Sequence, residues 1–315
     1  MYLVGDIGGT KTHLAIVDGG KVVREQKFPS GDYKDLGSIV SKFTQEKVEK
    51  ACFGVAGPVR DGRCVATNLP WVIDSKELAA LLGAQRVYLL NDLEANAWGI
   101  NALSDDQMYV LNKGVEAKGN AGLISAGTGL GEAGIYFDGE GYRPFATEGG
   151  HTDFGPRNDM ELELFGYLRG KFGHVSYERI LSGPGLADVY RFLVSVKKRD
   201  DVLGSGVTDA ELPRLVSERG LEKDCLTCHE ALQIFVNLYG AEAGNLALKF
   251  LALGGIYVGG GIAPKILPLI KEGGFFEAFC DKGRFEGLLK DVPIKVILEE
   301  NTAMLGAAYF VSHSK

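Results

Sequence analysis

Short apolar runs and helix-spaced apolar positions alternate along the chain, and glycines mark where one gives way to the next. Residues 2–6, 12–18 and 21–28 read as three strands, with Gly19-Gly20 as a two-residue hairpin turn between the last two. Leu36, Ile39, Val40, Phe43 and Val48 then recur at close to helical spacing over residues 33–48. Residues 51–56 form a buried-type strand stopped by Gly57-Pro58, and residues 67–71 are a loop. Asp74-Ser75 opens a helix, and residues 86–91 are a strand that runs directly into Asp92 and a helix through Trp98. The order β-β-β-α-β-α-β-α predicts a mixed sheet with helices on its faces.

A similar unit then follows. Residues 121–125 predict a strand, Gly127-Thr128-Gly129-Leu130-Gly131 a glycine-hydroxyl turn, and residues 133–137 the returning strand. Asp138-Gly139 and Glu140-Gly141 turn the chain into a strand at 142–146. A long helical section is predicted over residues 159–250, interrupted at Gly173 and at Ser182-Gly183-Pro184-Gly185. Residues 256–258 form a strand ending in Gly259-Gly260-Gly261, residues 294–298 the last strand and residues 302–311 the last helix. Two halves that each open with strand, Gly/Thr turn and strand read as a duplicated unit. Their turns are expected to face one another across a nucleotide-binding cleft.

Composition narrows the class. At 315 residues the chain is comfortable for two lobes, and its 45% hydrophobic and 24% charged residues are those of an ordinary globular protein. Glycine is high, 44 of 315, about twice the usual ~7%. A net charge of −7 without a basic stripe argues against nucleic acid as a partner. No apolar run approaches the ~20 residues of a membrane span, and a strand starting at residue 2 leaves no room for a signal peptide. Five scattered cysteines (Cys52, Cys64, Cys225, Cys228 and Cys280) point to reduced thiols in a cytoplasm.

The opening hairpin carries the first candidate chemistry. Asp6 precedes Gly8, Gly9, Thr10, Lys11 and Thr12, so backbone N–H groups and hydroxyls can meet a phosphate while the carboxylate holds a hydrated divalent cation. Gly9-Thr10-Lys11-Thr12 has the tail of a P-loop, but no glycine stands immediately before the lysine and a strand follows instead of a helix. Gly129-Leu130-Gly131-Glu132-Ala133-Gly134 spells a dinucleotide fingerprint, and it too runs into a strand. Asp92, between Asn91 and Glu94, sits at a strand-to-helix junction, where α/β proteins gather catalytic groups and where a plain helix cap also belongs. Asn68, Glu148 and His151 around Gly149-Gly150, and Glu178 are polar groups on loops, a composition suited to a polyhydroxylated ligand. Cys225-Leu226-Thr227-Cys228-His229 has the spacing of a haem attachment or part of a zinc site, without an export signal for the one or a second ligand pair for the other.

These blocks together resemble a known family. The stretch 3–11, Leu90-Asn91-Asp92, the turn 125–131, Glu148-Gly149-Gly150-His151-Thr152-Asp153-Phe154, residues 173–185 and residues 258–264 recur in order in the bacterial glucokinases, ATP-dependent hexokinases of the actin-like ATPase superfamily. The resemblance covers essentially the whole chain. It implies an α/β, two-lobed actin-like ATPase (ribonuclease H-like) fold, each lobe a mixed sheet flanked by helices. The small lobe would be residues 1–104 plus 300–315, and the large lobe residues 105–299.

By that resemblance, Asp92 would take the proton from the 6-hydroxyl of glucose as it attacks the γ-phosphate of ATP. Asn91, Asp92, Glu148, His151 and Glu178 would bind the sugar, with Asn68 as a further contact. Asp6, Gly8, Gly9, Thr10 and Lys11 would face Mg²⁺ and the phosphates, Asp6 through water. Gly127, Thr128 and Gly129 would grip from the other lobe, with Gly260 and Gly261 beside the adenosine. The resemblance also implies a homodimer. Lys11 stands where many close relatives carry Asn. Asp153-Phe154-Gly155-Pro156 stands where the wider sugar-kinase family carries a cysteine-rich zinc motif, which places the chain with the zinc-free glucokinases. A kinase for another hexose, or a sugar-sensing actin-like ATPase, are the alternatives.

Overall fold

A computed structural model describes residues 1–204 and 206–314. Residue 315, the end of the small lobe expected from sequence, lies outside the described residues. The chain divides into two compact units. One comprises Met1–Asp105, Arg143–Ala146 and the chain from Glu299 on, and the other Asp106–Tyr142 and Thr147–Leu298.

The first unit begins with β1 (Tyr2–Ile7), β2 (Lys11–Asp18) and β3 (Lys21–Pro29), followed by α1 (Leu36–Phe43) and β4 (Lys50–Val55). Three very short strands come next: β5 (Val59–Arg60), β6 (Arg63–Val65) and β7 (Val72–Asp74). Then come α2 (Ser75–Leu82), β8 (Arg86–Asn91) and α3 (Asp92–Gly99). The main sheet runs β3-β2-β1-β4-β8, with β1 antiparallel to β2 and parallel to β4, and β4 parallel to β8. Gly19 and Gly20 both take positive φ, as the tight β2–β3 hairpin requires. Leu36, Ile39, Val40 and Phe43 of α1 are buried on one side of the sheet. On the other side Ala95 of α3 packs with Ala303, Met304, Ala307 and Val311 of the last helix. The register sets Ile7 beside Val55 and Val55 beside Asn91, so three parallel strands end level. Ligand-binding loops of α/β sheets leave from that edge.

The second unit holds β9 (Met108–Asn112), β10 (Ala121–Ala126), β11 (Leu130–Phe137), the first residue of β12 (Tyr142–Ala146), α4 (Asp159–Phe172), α5 (Gly183–Ser195), α6 (Leu212–Glu222) and α7 (Leu226–Phe250). It continues with β13 (Gly255–Gly259), α8 (Leu267–Ile270), α9 (Gly274–Cys280), α10 (Glu286–Lys290) and β14 (Ile294–Ile297); α11 (Thr302–His313) returns to the first unit. The sheet order is β12-β11-β10-β13-β14-β9. The strand before the Gly/Thr turn is again antiparallel to its successor and parallel to a later strand, the arrangement of the first unit. The 25-residue α7 runs through the core, with Leu232, Phe235 and Tyr239 fully buried.

Two details differ from the sequence expectation. Ser182-Gly183-Pro184-Gly185 starts a helix instead of interrupting one, because Ser182 caps α5 and Pro184 sits in its first turn, where its missing N–H costs nothing. The chain is also non-helical between α5 and α6. Among the described residues, no helix is long and apolar enough to cross a membrane.

Candidate active site

In the first unit the expected residues gather at the level ends of β1, β4 and β8. The turn after Asp6 is closed by the Gly8 N–H, which donates to the Lys11 carbonyl at 3.0 Å. Ser30, fully buried just past β3, braces it: its N–H donates to the Thr10 carbonyl at 3.0 Å and its hydroxyl to the Gly8 carbonyl at 2.8 Å. That hydroxyl is also 3.0 Å from the Thr12 hydroxyl. Sequence reasoning missed Ser30, whose only signal is its position after Pro29, the register partner of Lys11. Burial pushes the Asp6 carboxyl above its ordinary range, and the Lys11 ammonium pulls against that.

Gly9 is in contact with Asn68, since a Cβ on Gly9 would stand 2.7 Å from the Asn68 Cβ. The loop bearing Asn68 is tied back where the Thr67 N–H donates to the Ala56 carbonyl at 3.1 Å and the Asn91 side-chain amide to the Gly57 carbonyl at 3.2 Å. Asn91 Oδ1 accepts the Leu93 N–H at 3.0 Å and so caps α3. Asn91 therefore already holds two pieces of backbone in place. Asp92 is the first residue of α3, and its Oδ1 accepts the Leu93 N–H at 2.9 Å. The Cys64 thiol is raised by burial and, next, by the Asp92 charge.

The second unit assembles its own set. The Gly127 N–H donates to the Gly129 carbonyl, and the Gly127 carbonyl accepts the Gly183 N–H, both at 2.8 Å, so the turn leans on the start of α5. Thr128 is exposed. The fully buried Tyr239 hydroxyl accepts the Ala126 N–H at 3.1 Å and lies 3.3 Å from the Ile124 carbonyl and 3.2 Å from that of Gly259. It fixes the ends of β10 and β13 together, and with them Gly127–Gly129 and Gly260-Gly261. Gly260 has φ +82°, and a Cβ there would sit 2.3 Å from the Ala126 carbonyl oxygen, so only glycine fits.

Glu178 joins this turn to the expected sugar ligands. Its Oε2 accepts the Leu130 N–H at 3.0 Å, and its Oε1 is 3.5 Å from His151 Nε2. Glu148 and His151 flank one tight turn closed by the His151 N–H donating to the Glu148 carbonyl at 3.0 Å. A Cβ on Gly150 would be 2.0 Å from the Leu130 carbonyl oxygen, so this turn lies directly on the start of β11. Three sugar-binding candidates and three phosphate-binding ones thus share one polar face of the second unit. Sequence reasoning also missed Glu132, a buried carboxyl behind that face whose sole signal is an acid between Gly131 and Ala133 on an apolar strand.

The Cys225–His229 segment caps α7: Cys225 Sγ accepts the Cys228 N–H at 3.2 Å, and His229 Nδ1 is 2.8 Å from the Gly220 carbonyl. Among the described residues, no group of three or more His, Cys, Asp or Glu side chains could hold a metal ion. Mg²⁺ does not need one, since it keeps several waters and binds through one or two carboxylates plus substrate phosphates. Asp6 fits that demand, being a desolvated carboxylate beside a turn of backbone N–H groups.

Known proteins resemble this chain over its whole length. A glucokinase family model matches residues 3–314. A glucokinase of Synechocystis sp. is 39% identical over 348 residues, covering 99% of this chain and 98% of its own. The crystal structure of a glucokinase from an Antarctic psychrotroph superposes with a TM-score of 0.86 at 29% identity, over 99% of both chains. A ROK family glucokinase from Streptomyces griseus, solved with glucose and AMPPNP, shares the fold, with a TM-score of 0.66 at 21% identity over 98% of this chain and 97% of its own. The fold is the actin-like ATPase fold of sugar kinases. The chain belongs to the glucokinase family of ATP-dependent sugar kinases.

Proposed function

We propose that this chain transfers the γ-phosphoryl group of ATP to the 6-hydroxyl of glucose, giving glucose 6-phosphate and ADP. The observation that carries the reading is the double engagement of Glu178. One carboxylate oxygen holds the Gly127–Gly131 turn and the other faces His151, so phosphate-binding and sugar-binding candidates are built as one piece.

In this reading the small lobe, residues 1–104 with 300–315, contributes the base. Asp92 accepts the hydroxyl proton as the sugar oxygen bonds to phosphorus and the bond to the ADP oxygen breaks. Its carboxylate stands in the first turn of α3, at the end of β8. The large lobe, residues 105–299, contributes Glu148, His151 and Glu178, whose charge-assisted hydrogen bonds fix the sugar hydroxyls. Asn91 and Asn68 add contacts. The turns Gly8 to Lys11 and Gly127 to Gly129 bind phosphates, through groups other than the Gly8 and Gly127 N–H that close them, and Gly260-Gly261 lies against the adenosine. Asp6 would hold Mg²⁺ through water, and the ion would offset the charge of the β- and γ-phosphates. We further assign the protein to the cytoplasm, where five unpaired cysteines suit a reducing medium, and expect a homodimer, which sedimentation would test.

The deciding experiment is a coupled assay with ATP and Mg²⁺ across a hexose panel. Glucose should give the highest kcat/KM, and EDTA should abolish turnover until Mg²⁺ is restored. A better constant with another hexose would overturn the glucose assignment. ATP turnover indifferent to any sugar would overturn the kinase reading altogether.

A further inference from the structure

Behind the turn that carries Glu148 and His151 lies a sealed polar cluster that the phosphoryl transfer does not use. Glu132 on β11 is 1% exposed and Glu242 on α7 fully buried. Glu132 Oε2 would be 2.0 Å from a Cβ on Gly149, so the Gly149 backbone rests directly on this carboxyl group. The same turn is pinned to the Glu132 main chain by the Thr147 hydroxyl, which donates to the Glu132 carbonyl at 2.8 Å and accepts the Gly149 N–H at 3.2 Å.

On its inner side Glu132 faces the Glu242 carboxyl, whose charge acts on it. Glu242 accepts from Lys249 Nζ at 3.0 Å and from the Asn245 amide at 2.7 Å. That amide also donates to the Tyr177 hydroxyl at 3.0 Å. Tyr177 immediately precedes Glu178. The chain of neighbours therefore runs from Gly149 through Glu132, Glu242 and the Asn245 amide to Tyr177, from one sugar-facing turn to the other.

The geometry points to Glu132 as a positioning residue for sugar binding: its carboxyl, donating to Glu242, locks the Glu148–His151 turn to the turn that bears Glu178. Among the described residues no donor reaches Glu132 Oε1, which is fully buried, and Glu242 is supplied with Lys249 and Asn245. Two carboxyl groups with one such cation between them can share a single proton, whereas two charges in this enclosed space repel. The proton belongs on Glu132, which burial and then the facing Glu242 push up to about 8, with Lys249 pulling the other way. The other charged or titratable groups around the pair are Tyr239 and Tyr177, both raised by burial, and Lys282, which faces Glu242. When Glu132 ionises the donated hydrogen is lost, and the Gly149 turn rests on an anion opposite another anion.

The inference rests on reading Glu148, His151 and Glu178 as sugar ligands. Its test is glucose-dependent rates at saturating ATP for the wild type, Glu132→Gln and Glu148→Gln. Wild-type KM for glucose should rise about fivefold between pH ~7 and pH ~9 while kcat changes less than about twofold. Glu132→Gln, which donates a hydrogen bond at any pH, should match the wild-type KM near neutrality and stay flat. Superimposable profiles overturn the inference. An unchanged KM in Glu148→Gln overturns the sugar-ligand reading instead. If Glu132→Gln does not fold, calorimetry of glucose binding to the wild type near pH ~8, in buffers of different ionisation enthalpy, decides through linkage. Proton uptake is expected, and its absence overturns the inference.

Discussion

One carboxylate, Glu178, meets the Leu130 N–H at 3.0 Å through Oε2 and His151 Nε2 at 3.5 Å through Oε1. A glutamine can keep the first contact, because its amide oxygen accepts from Leu130, and it loses the anion facing His151. Glu178→Gln should therefore raise KM for glucose about tenfold and leave KM for ATP within about twofold. Glu178→Ala should raise both. Steady-state kinetics decide, and equal effects of the two variants on the ATP constant would remove the link.

Asp92→Asn should separate chemistry from binding. The amide keeps the shape and the hydrogen bond from the Leu93 N–H, and cannot take a proton. kcat should fall about 10²-fold or more with glucose affinity within about threefold, measured by rates and by calorimetry. Near-normal turnover would remove Asp92 from the role of base.

Two glycines predict unequal damage. A Cβ at Gly150 meets the Leu130 carbonyl oxygen at 2.0 Å, a backbone atom that cannot step aside. At Gly129 the obstacle is Glu178 Oε2 at 2.5 Å, at the end of a side chain that can swing. Gly150→Ala should lose more than about 10²-fold in kcat/KM and lower the melting temperature, as overpacking does. Gly129→Ala should keep the melting temperature and raise both KM values. Equal melting temperatures would contradict the contrast.

His13, almost fully buried on β2, supplies a pH signature of stability. Burial lowers its pKa from 6.5, and Glu25, 3.0 Å from Nε2, only partly restores it. The unfolded chain thus takes up a proton more readily than the folded one. The stabilisation is complete above the unfolded pKa and is lost as pH falls through the folded value. Thermal unfolding midpoints should drop on acidification from pH ~7 to pH ~5, more steeply for the wild type than for His13→Gln. Parallel curves would show that His13 carries none of the effect.

Much of the scaffold could be read from the sequence because its signals are local. β1, β2 and β3 show apolar runs cut by glycine, and Asp92 declares itself by standing between an apolar strand and a helical pattern. β5 to β7, at two or three residues each, are too short to carry any period. The start of α5 was legible in principle, as a serine cap with proline in the first turn, but Gly-Pro-Gly reads first as a break. Ser30, Tyr239 and Glu132 stayed hidden for a different reason. Each acts on backbone well removed along the chain, 22 residues in the case of Ser30 and Gly8 and 113 in that of Tyr239 and Ala126. No local pattern reports a pairing of that range.

The brace at Ser30 gives β3 an unusual status. Seven consecutive side chains of this edge strand, from Lys21 to Lys27, are exposed, and only Phe28 of the strand enters the core. The strand is less a wall of the domain than a splint, a length of ladder whose task is to deliver one hydroxyl under the Gly8–Lys11 turn. Apart from Arg24, which lies over Phe43, and Glu25, which meets His13, its sequence is free to drift toward whatever the surface requires, so long as the pairing with β2 survives. A saturation library over residues 21–30, selected for sugar phosphorylation, should return a stretch tolerant outside Arg24 and Glu25 that closes abruptly at Phe28 and Ser30.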